Sequence, residues 1–165
     1  MKKSLFATTD SPVSLIMRLI LGPTFMAHGA QKAFGWFGGY GFEGTMQYFM
    51  NDIGLPWLLS LFVILIELLG GLFILLGFAT RVCAFCILAL VIGIVSSVHW
   101  RFGFFMNWEG TQGGEGIEYF LLVLAITSSL TILGGGKFSV DGWIVKFFTT
   151  PRAAPNNGEA VACLP

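Results

Sequence analysis

Four stretches of the chain are almost continuously apolar: residues 13–30, 55–78, 82–100 and 117–133. Each is close to the ~20 residues that cross a ~30 Å hydrocarbon core at ~1.5 Å per residue. Lipid offers no partner to an open backbone, so each stretch is predicted as a helix. Only Ala79, Thr80 and Arg81 separate the second from the third, which predicts a tight hairpin. The connections 31–54 and 101–116 are longer, rich in glycine and aromatics, and read as loops. Residues 138–148 alternate apolar and polar positions, with Lys146 between apolar neighbours. That segment is predicted to lie flat on the membrane surface. Residues 151–165 are small, polar and proline-containing, and are predicted to be disordered. No internal repeat organises the chain. The expected fold is an all-α membrane protein, a four-transmembrane-helix bundle with a short amphipathic C-terminal segment. Residues 1–12 would form the N-terminus, 13–142 the helical domain and 143–165 the tail.

Composition points the same way. The chain is 55% hydrophobic and 11% charged, whereas soluble domains carry about 25% charged residues. A single core of this size cannot hide so much apolar surface, so lipid must cover the excess. Nine basic residues balance nine acidic ones, which gives no reason to expect a nucleic acid. Cys83, Cys86 and Cys163 are too few for a disulfide scaffold, and no metal-binding motif is present. Met1-Lys2-Lys3 could open a secretory signal, but Asp10 and Pro12 precede the apolar run and no A-x-A site follows it. The first helix is expected to be retained.

Basic residues set the expected orientation. Lys2, Lys3, Arg81, Lys137, Lys146 and Arg152 fall at one end of the spans, against Lys32 and Arg101 at the other. Both termini are therefore expected in the cytoplasm, with the two long connections outside. Trp36, Tyr40, Trp57, Trp100 and Trp108 gather at that outer end, as an interfacial aromatic belt does.

Charges inside a span cost about 2.5–3.5 kcal/mol on insertion scales, and so usually have a task. The candidates are Arg18, His28, Lys32, Glu67, His99 and Glu118. At ~100° per residue, His28 lies about 80° and Lys32 about 40° from Arg18 on one helix face. On the second helix Ser60, Gly70, Gly71 and Gly77 share the face of Glu67, a small-residue surface suited to helix packing. His99 shares a face with Ser96, and Glu118, Ala125 and Ser129 form a small, polar stripe on the fourth helix. With alternating helix directions, His28, Lys32, His99 and Glu118 converge at the outer end and Gln31 adjoins them. This is the candidate polar pocket; the competing reading is that these side chains only snorkel to water. Arg18 and Glu67 would neutralise one another as a pair, but they sit roughly 8–9 Å apart along the normal. Their side chains lean away from each other as well. The pair would need water, a third group or helix tilt; the alternatives are a snorkelling Arg18 and a neutral Glu67. Cys83 and Cys86 form a C-x-x-C at the inner end, facing away from His99, and read as helix-packing residues rather than a redox pair.

These residues fall into an ordered series of motifs. They are Arg18-x-x-x-Gly22, His28-Gly29-Ala30-Gln31-Lys32, Phe34-Gly35-Trp36-Phe37-Gly38-Gly39, Glu67-x-x-Gly70-Gly71, Gly77-x-x-x-Arg81, His99, Gly103-Phe104-Phe105 and Gly116-x-Glu118, followed by 134–141. The series spans about Ser14 to Gly142 and resembles the DoxX family of small bacterial membrane proteins. The stretch from His28 to Gly39 is the specific part. The resemblance implies a four-helix bundle in the bacterial cytoplasmic membrane. It also implies a connection to quinol oxidase, thiosulfate:quinone oxidoreduction or membrane oxidoreductase complexes that meet thiol and oxidative stress. No catalytic residue is carried over by it.

Two functions follow. The first is a subunit or partner of a quinone-linked membrane oxidoreductase, with quinone as the ligand; its head would meet His28, Lys32, His99 and Glu118 amid Phe34, Trp36, Phe104 and Phe105. No haem is required by the two histidines. The second is a non-catalytic assembly factor, stress-related scaffold or small-solute carrier. The expected partners are membrane lipids and either other oxidoreductase subunits or further copies of the chain. The orientation is directly testable. Reporter fusions at Thr80 and after Gly142 should be cytoplasmic, and fusions near Gly41 and Gly110 external. A C-terminal reporter found outside would overturn the four-span arrangement.

Overall fold

A computed structural model describes residues 6–149. The expected disorder of 151–165 lies outside the described residues, as do Lys2, Lys3, Arg152 and Cys163. The described residues form helices and no strands: α1 (Pro12–Phe34), α2 (Gly41–Asn51), α3 (Trp57–Leu76), α4 (Thr80–Phe102), α5 (Glu118–Leu133) and α6 (Val140–Thr149). α1, α3 and α4 have 23, 20 and 23 residues and are long and apolar enough to cross a membrane. α5 has 16 residues, about 24 Å, and is shorter than a ~30 Å core.

Local chemistry explains where α1 begins and ends. The Ser11 hydroxyl accepts from the Val13 N–H at 3.2 Å, and Pro12 occupies the first helical position. Gly35 closes the helix with φ +73°, its N–H bonded to the Gln31 carbonyl. α1 thus runs four residues beyond the apolar stretch and carries Lys32 on its last turn. The region read as a loop also contains α2. Phe42, Met46, Phe49 and Ile53 recur at three- and four-residue intervals, an amphipathic pattern that the many glycines obscured.

α1 and α3 are antiparallel and nearly touch. A Cβ added at Gly22 would meet Leu75, one at Gly71 would meet the Met26 nitrogen, and one at Gly29 would meet the Leu68 backbone. Ser60, Glu67, Gly70, Gly71 and Gly77 are all buried, so the small-residue face of α3 is its packing face as expected. α5 differs. Its buried residues are Val123, Thr127 and Leu130, whereas Ala125 is exposed. The Glu118–Ala125–Ser129 stripe therefore does not face the core, because α5 turns its larger residues toward α4. Ala84, Ile87 and Val91 of α4 and Val123 and Leu130 of α5 belong to one apolar core.

Two helices depart from α geometry where polar residues enter. Residues Ile66–Gly70 of α3 and Val95–His99 of α4 are π-helical turns, and they contain Glu67 and His99. α4 packs on α3 along residues 66–76 but has no comparable contact with 57–65. The hairpin is closed at its turn and splays open toward the other end.

The turn end is tied by hydrogen bonds. Arg18 is 1% exposed, and its guanidinium donates to the carbonyls of Leu75, Lys137 and Phe138 at 3.1, 2.9 and 3.3 Å. It neither snorkels nor pairs with Glu67, because the carbonyls ending α3 and preceding α6 surround it. Gly77, at φ +69°, leaves the room that the guanidinium fills. The buried Asp141 carboxylate accepts from the Ala79 and Thr80 N–H groups at 2.7 and 2.9 Å, capping α4 from a distant segment. Elsewhere the exterior is apolar: Ile16, Ile20, Leu58, Phe62, Leu122 and Ile132 are exposed while Arg18, Glu67 and Asp141 are buried. Lipid is the solvent that suits such a surface.

The close seam predicts unequal glycines. Gly71→Ala should cost about 1–3 kcal/mol by overpacking and lower the thermal midpoint in detergent. Gly93→Ala, where an added Cβ meets nothing within 4 Å, should leave that midpoint unchanged or raise it. Equal behaviour would show that α1 and α3 are not in close contact.

Candidate functional site

The register set by the glycine seam brings two charges together. Gly29 lies against Leu68, so Glu67 is level with Ala30 and Lys32 is two residues, about half a turn, beyond it. α1 and α3 run in opposite directions, and side chains lean toward their own helix N-terminus. Lys32 and Glu67 therefore lean toward each other. Lys32 Nζ donates to Glu67 Oε2 at 2.6 Å, with side-chain exposures of 24% and 5%. The sequence placed Lys32 near the end of the bundle and Glu67 at mid-depth; the long lysine stem bridges the difference. Glu67 is accordingly paired with Lys32 rather than with Arg18.

The pair borders a cavity of about 820 Å³ in the open half of the bundle. Pockets for small organic ligands commonly measure about 300–1,000 Å³. His28, Lys32, Tyr48, Glu67, His99, Glu115 and Tyr119 contribute the ionisable groups of its lining. Much of the remaining wall is apolar: Phe25 from α1, Phe49 from α2, Leu59 and Val63 from α3, Val91 and Ile94 from α4, and Phe120 and Val123 from α5. Tyr48, Phe49 and Ile53 come from the 31–54 connection, expected to be a loop.

Three of the five expected pocket residues, His28, Lys32 and His99, line this cavity. Gln31 and Glu118 do not. The Gln31 backbone lies against Gly39, and its carbonyl closes α1. The Glu118 carboxylate instead accepts from the Met106 N–H at 3.1 Å, and its own N–H bonds the Phe104 carbonyl. It pins the 103–117 connection to the start of α5. Phe34, Trp36, Phe104 and Phe105, expected as aromatic walls, are also absent from the lining. They are exposed, and Phe34 packs with Trp36 while Phe104 packs with Phe105.

His99 is oriented from two sides. Its Nδ1 lies 2.7 Å from the Glu115 carbonyl, and its ring sits 4.3 Å from that of Phe120. A carbonyl only accepts, so Nδ1 carries the proton. Nε2 of the neutral ring is then an acceptor. Lys32 supplies N–H donors, Glu67 an acceptor, and Tyr119 a phenol that can do either. Glu67 and Tyr119 were missing from the expected pocket. The signal for Glu67 was its glycine-rich face, which required it to point inward; Tyr119 gave none beyond its place beside Glu118. Cys83 is buried with its Sγ 3.9 Å from the Phe78 carbonyl, Cys86 is half-buried, and neither lines the cavity.

The ion pair predicts an asymmetry. Lys32→Met leaves the Glu67 carboxylate buried without its partner, whereas Glu67→Gln leaves a lysine that can still reach water. The lysine change should lower the thermal midpoint further. The double change should cost less than the sum, with a coupling of about 0.5–3 kcal/mol. Strictly additive costs in this double-mutant cycle would show that the contact does not form.

Comparison with known proteins agrees with this architecture. The DoxX family profile matches residues 13–100. The Bacillus subtilis (strain 168) protein named "Putative oxidoreductase CatD" is 32% identical over 134 residues, covering 81% of this chain and 87% of that relative. The Escherichia coli (strain K12) protein named "Inner membrane protein YqjF" is 32% identical over 132 residues, covering 77% of this chain and 88% of that relative. No solved structure matches the chain significantly. The apolar helices with their lipid-suited exterior, and matches that reach across most of the chain, establish an integral membrane protein that belongs to the DoxX family.

Proposed function

We propose that this protein is a subunit or partner of a quinone-linked oxidoreductase system in the bacterial cytoplasmic membrane. In this reading α1, α3, α4 and α5 cross the bilayer, both termini are cytoplasmic, and quinone is the ligand. α6 lies on the inner surface, with exposed Trp143, Phe147 and Phe148 toward lipid. The names of the relatives support the assignment: one is named "Putative oxidoreductase CatD" and the other "Inner membrane protein YqjF".

The observation that carries the reading is the cavity itself. It combines apolar walls with the part-buried Lys32–Glu67 pair, His28, His99 and Tyr119. A quinone head has that division: an apolar ring with two carbonyl oxygens. Lys32 and the Tyr119 phenol can donate to those oxygens. Reduction of a quinone to a quinol takes up two electrons and two protons. Glu67, His28 and His99 are groups that hold and release protons, while a partner oxidoreductase subunit supplies or accepts the electrons.

The test is equilibrium binding of a short-chain quinone to the purified protein in detergent. The wild type should bind, and Lys32→Met and Glu67→Gln should each weaken binding about tenfold or more, the loss of ~1.4 kcal/mol. The double change of Cys83 and Cys86 to Ser should leave binding intact. A well-folded wild type that binds no quinone would favour the non-catalytic assembly-factor or carrier reading.

A further inference from the structure

The cavity has a side opening that binding of a ring alone does not explain. It lies where α3 and α4 diverge, between Leu59 and Val63 on one wall and Leu90, Gly93 and Ile94 on the other. Leu59 and Gly93 line the cavity and are exposed, as are His28, Tyr48, Ser97 and Glu115 nearer the helix ends, so the cavity is open in both places. A Cβ added at Gly93 would meet no atom within 4 Å. Gly93 is nine residues below Phe102, the end of α4, a rise of about 13 Å. Val63 is six residues below Trp57, the start of α3, or about 9 Å. In the spanning arrangement proposed above, both walls of the opening stand at the depth of hydrocarbon rather than of water.

From this geometry we infer that the wedge between α3 and α4 is a lateral portal for the isoprenoid tail of a quinone, with Gly93 as its threshold. The inference rests on the quinone reading of the cavity and adds the route and the tail subsite. The head meets the Lys32–Glu67 pair, and the tail leaves through the wedge into the acyl chains. A ligand of this shape never has to cross the 103–117 connection or the α2 cover. The missing side chain at position 93 keeps the passage clear where a larger residue would stand in it.

The experiment compares a ten-isoprene quinone with a tailless quinone on protein reconstituted in phosphatidylcholine liposomes. The variants are wild type, Gly93→Trp and Ala89→Trp, the last an exposed position one turn away that does not line the cavity. Gly93→Trp should weaken binding of the tailed quinone tenfold or more and leave the tailless one within twofold. Ala89→Trp should leave both unchanged. Tailed binding that survives Gly93→Trp, or equal loss of both ligands, would overturn the portal. A second measurement does not depend on quinone. Gly93→Cys, in a background with Cys83, Cys86 and Cys163 changed to Ser, is labelled with bimane. Quenching by phosphatidylcholine with brominated acyl chains but not by aqueous iodide supports an opening to lipid; the reverse pattern overturns it. A wild type that binds neither quinone defeats the quinone reading, and the bimane result then decides the opening separately.

Discussion

The close approach of α1 to α3 is the constraint from which the rest of this structure follows. In lipid, apolar side chains gain little by leaving their surroundings, so helices associate through close packing and hydrogen bonding instead. Gly22, Gly29 and Gly71 provide that packing by letting each helix meet the other's backbone. A seam in which each glycine receives a larger residue of the other helix also has one register. Sliding it by a residue would drive Leu68 or Leu75 into a helix that has no room for them. The register in turn decides which charges meet.

The buried charges find two separate solutions at the two ends of the bundle. Near the hairpin turn, Arg18 and Asp141 satisfy backbone groups left open by helix ends. That use is structural: the guanidinium closes α3 onto the segment before α6, and the carboxylate begins α4. In the open half, Lys32 and Glu67 satisfy each other. Their pairing occurs beside an apolar cavity, among two histidines and two tyrosines. A contact that is complete in itself and also faces open space can exchange one partner for a ligand, which the Arg18 network cannot do without unravelling helix ends.

The shape of the cavity comes from the divergence of α3 and α4. Their hairpin is tight because Gly77 and Ala79, both with positive φ, turn the chain within a few residues. Beyond the π-helical turn at Ile66–Gly70 the two helices no longer pack together. π-helical turns are often found at functional sites, and here each of the two brings an ionisable residue to the cavity lining. α2 and the 103–117 connection finish the enclosure at the helix ends away from the hairpin turn.

Composition and hydrophobic runs were sufficient for the helical class, the positions of the long apolar helices and the tight hairpin. They also revealed the packing face of α3, because glycine and serine at helical spacing around a carboxyl have few other uses in lipid. His28, Lys32 and His99 were legible as one cluster for a similar reason: each is an ionisable residue near the same end of an apolar run. What the sequence could not supply was the relative height of neighbouring helices. A span read from hydropathy has soft ends, and the extra turn of α1 to Phe34 moved Lys32 into reach of Glu67. Nor does helical periodicity survive a π-helical turn, so the direction of His99 could not be extrapolated from Ser96. Glu118 shared the depth of the cluster but was claimed by the backbone of a neighbouring loop. Depth and helix face are properties of one helix and can be read from its residues. Which partner a charge finally takes depends on the register between helices, and only the tertiary packing at Gly22, Gly29 and Gly71 decided that.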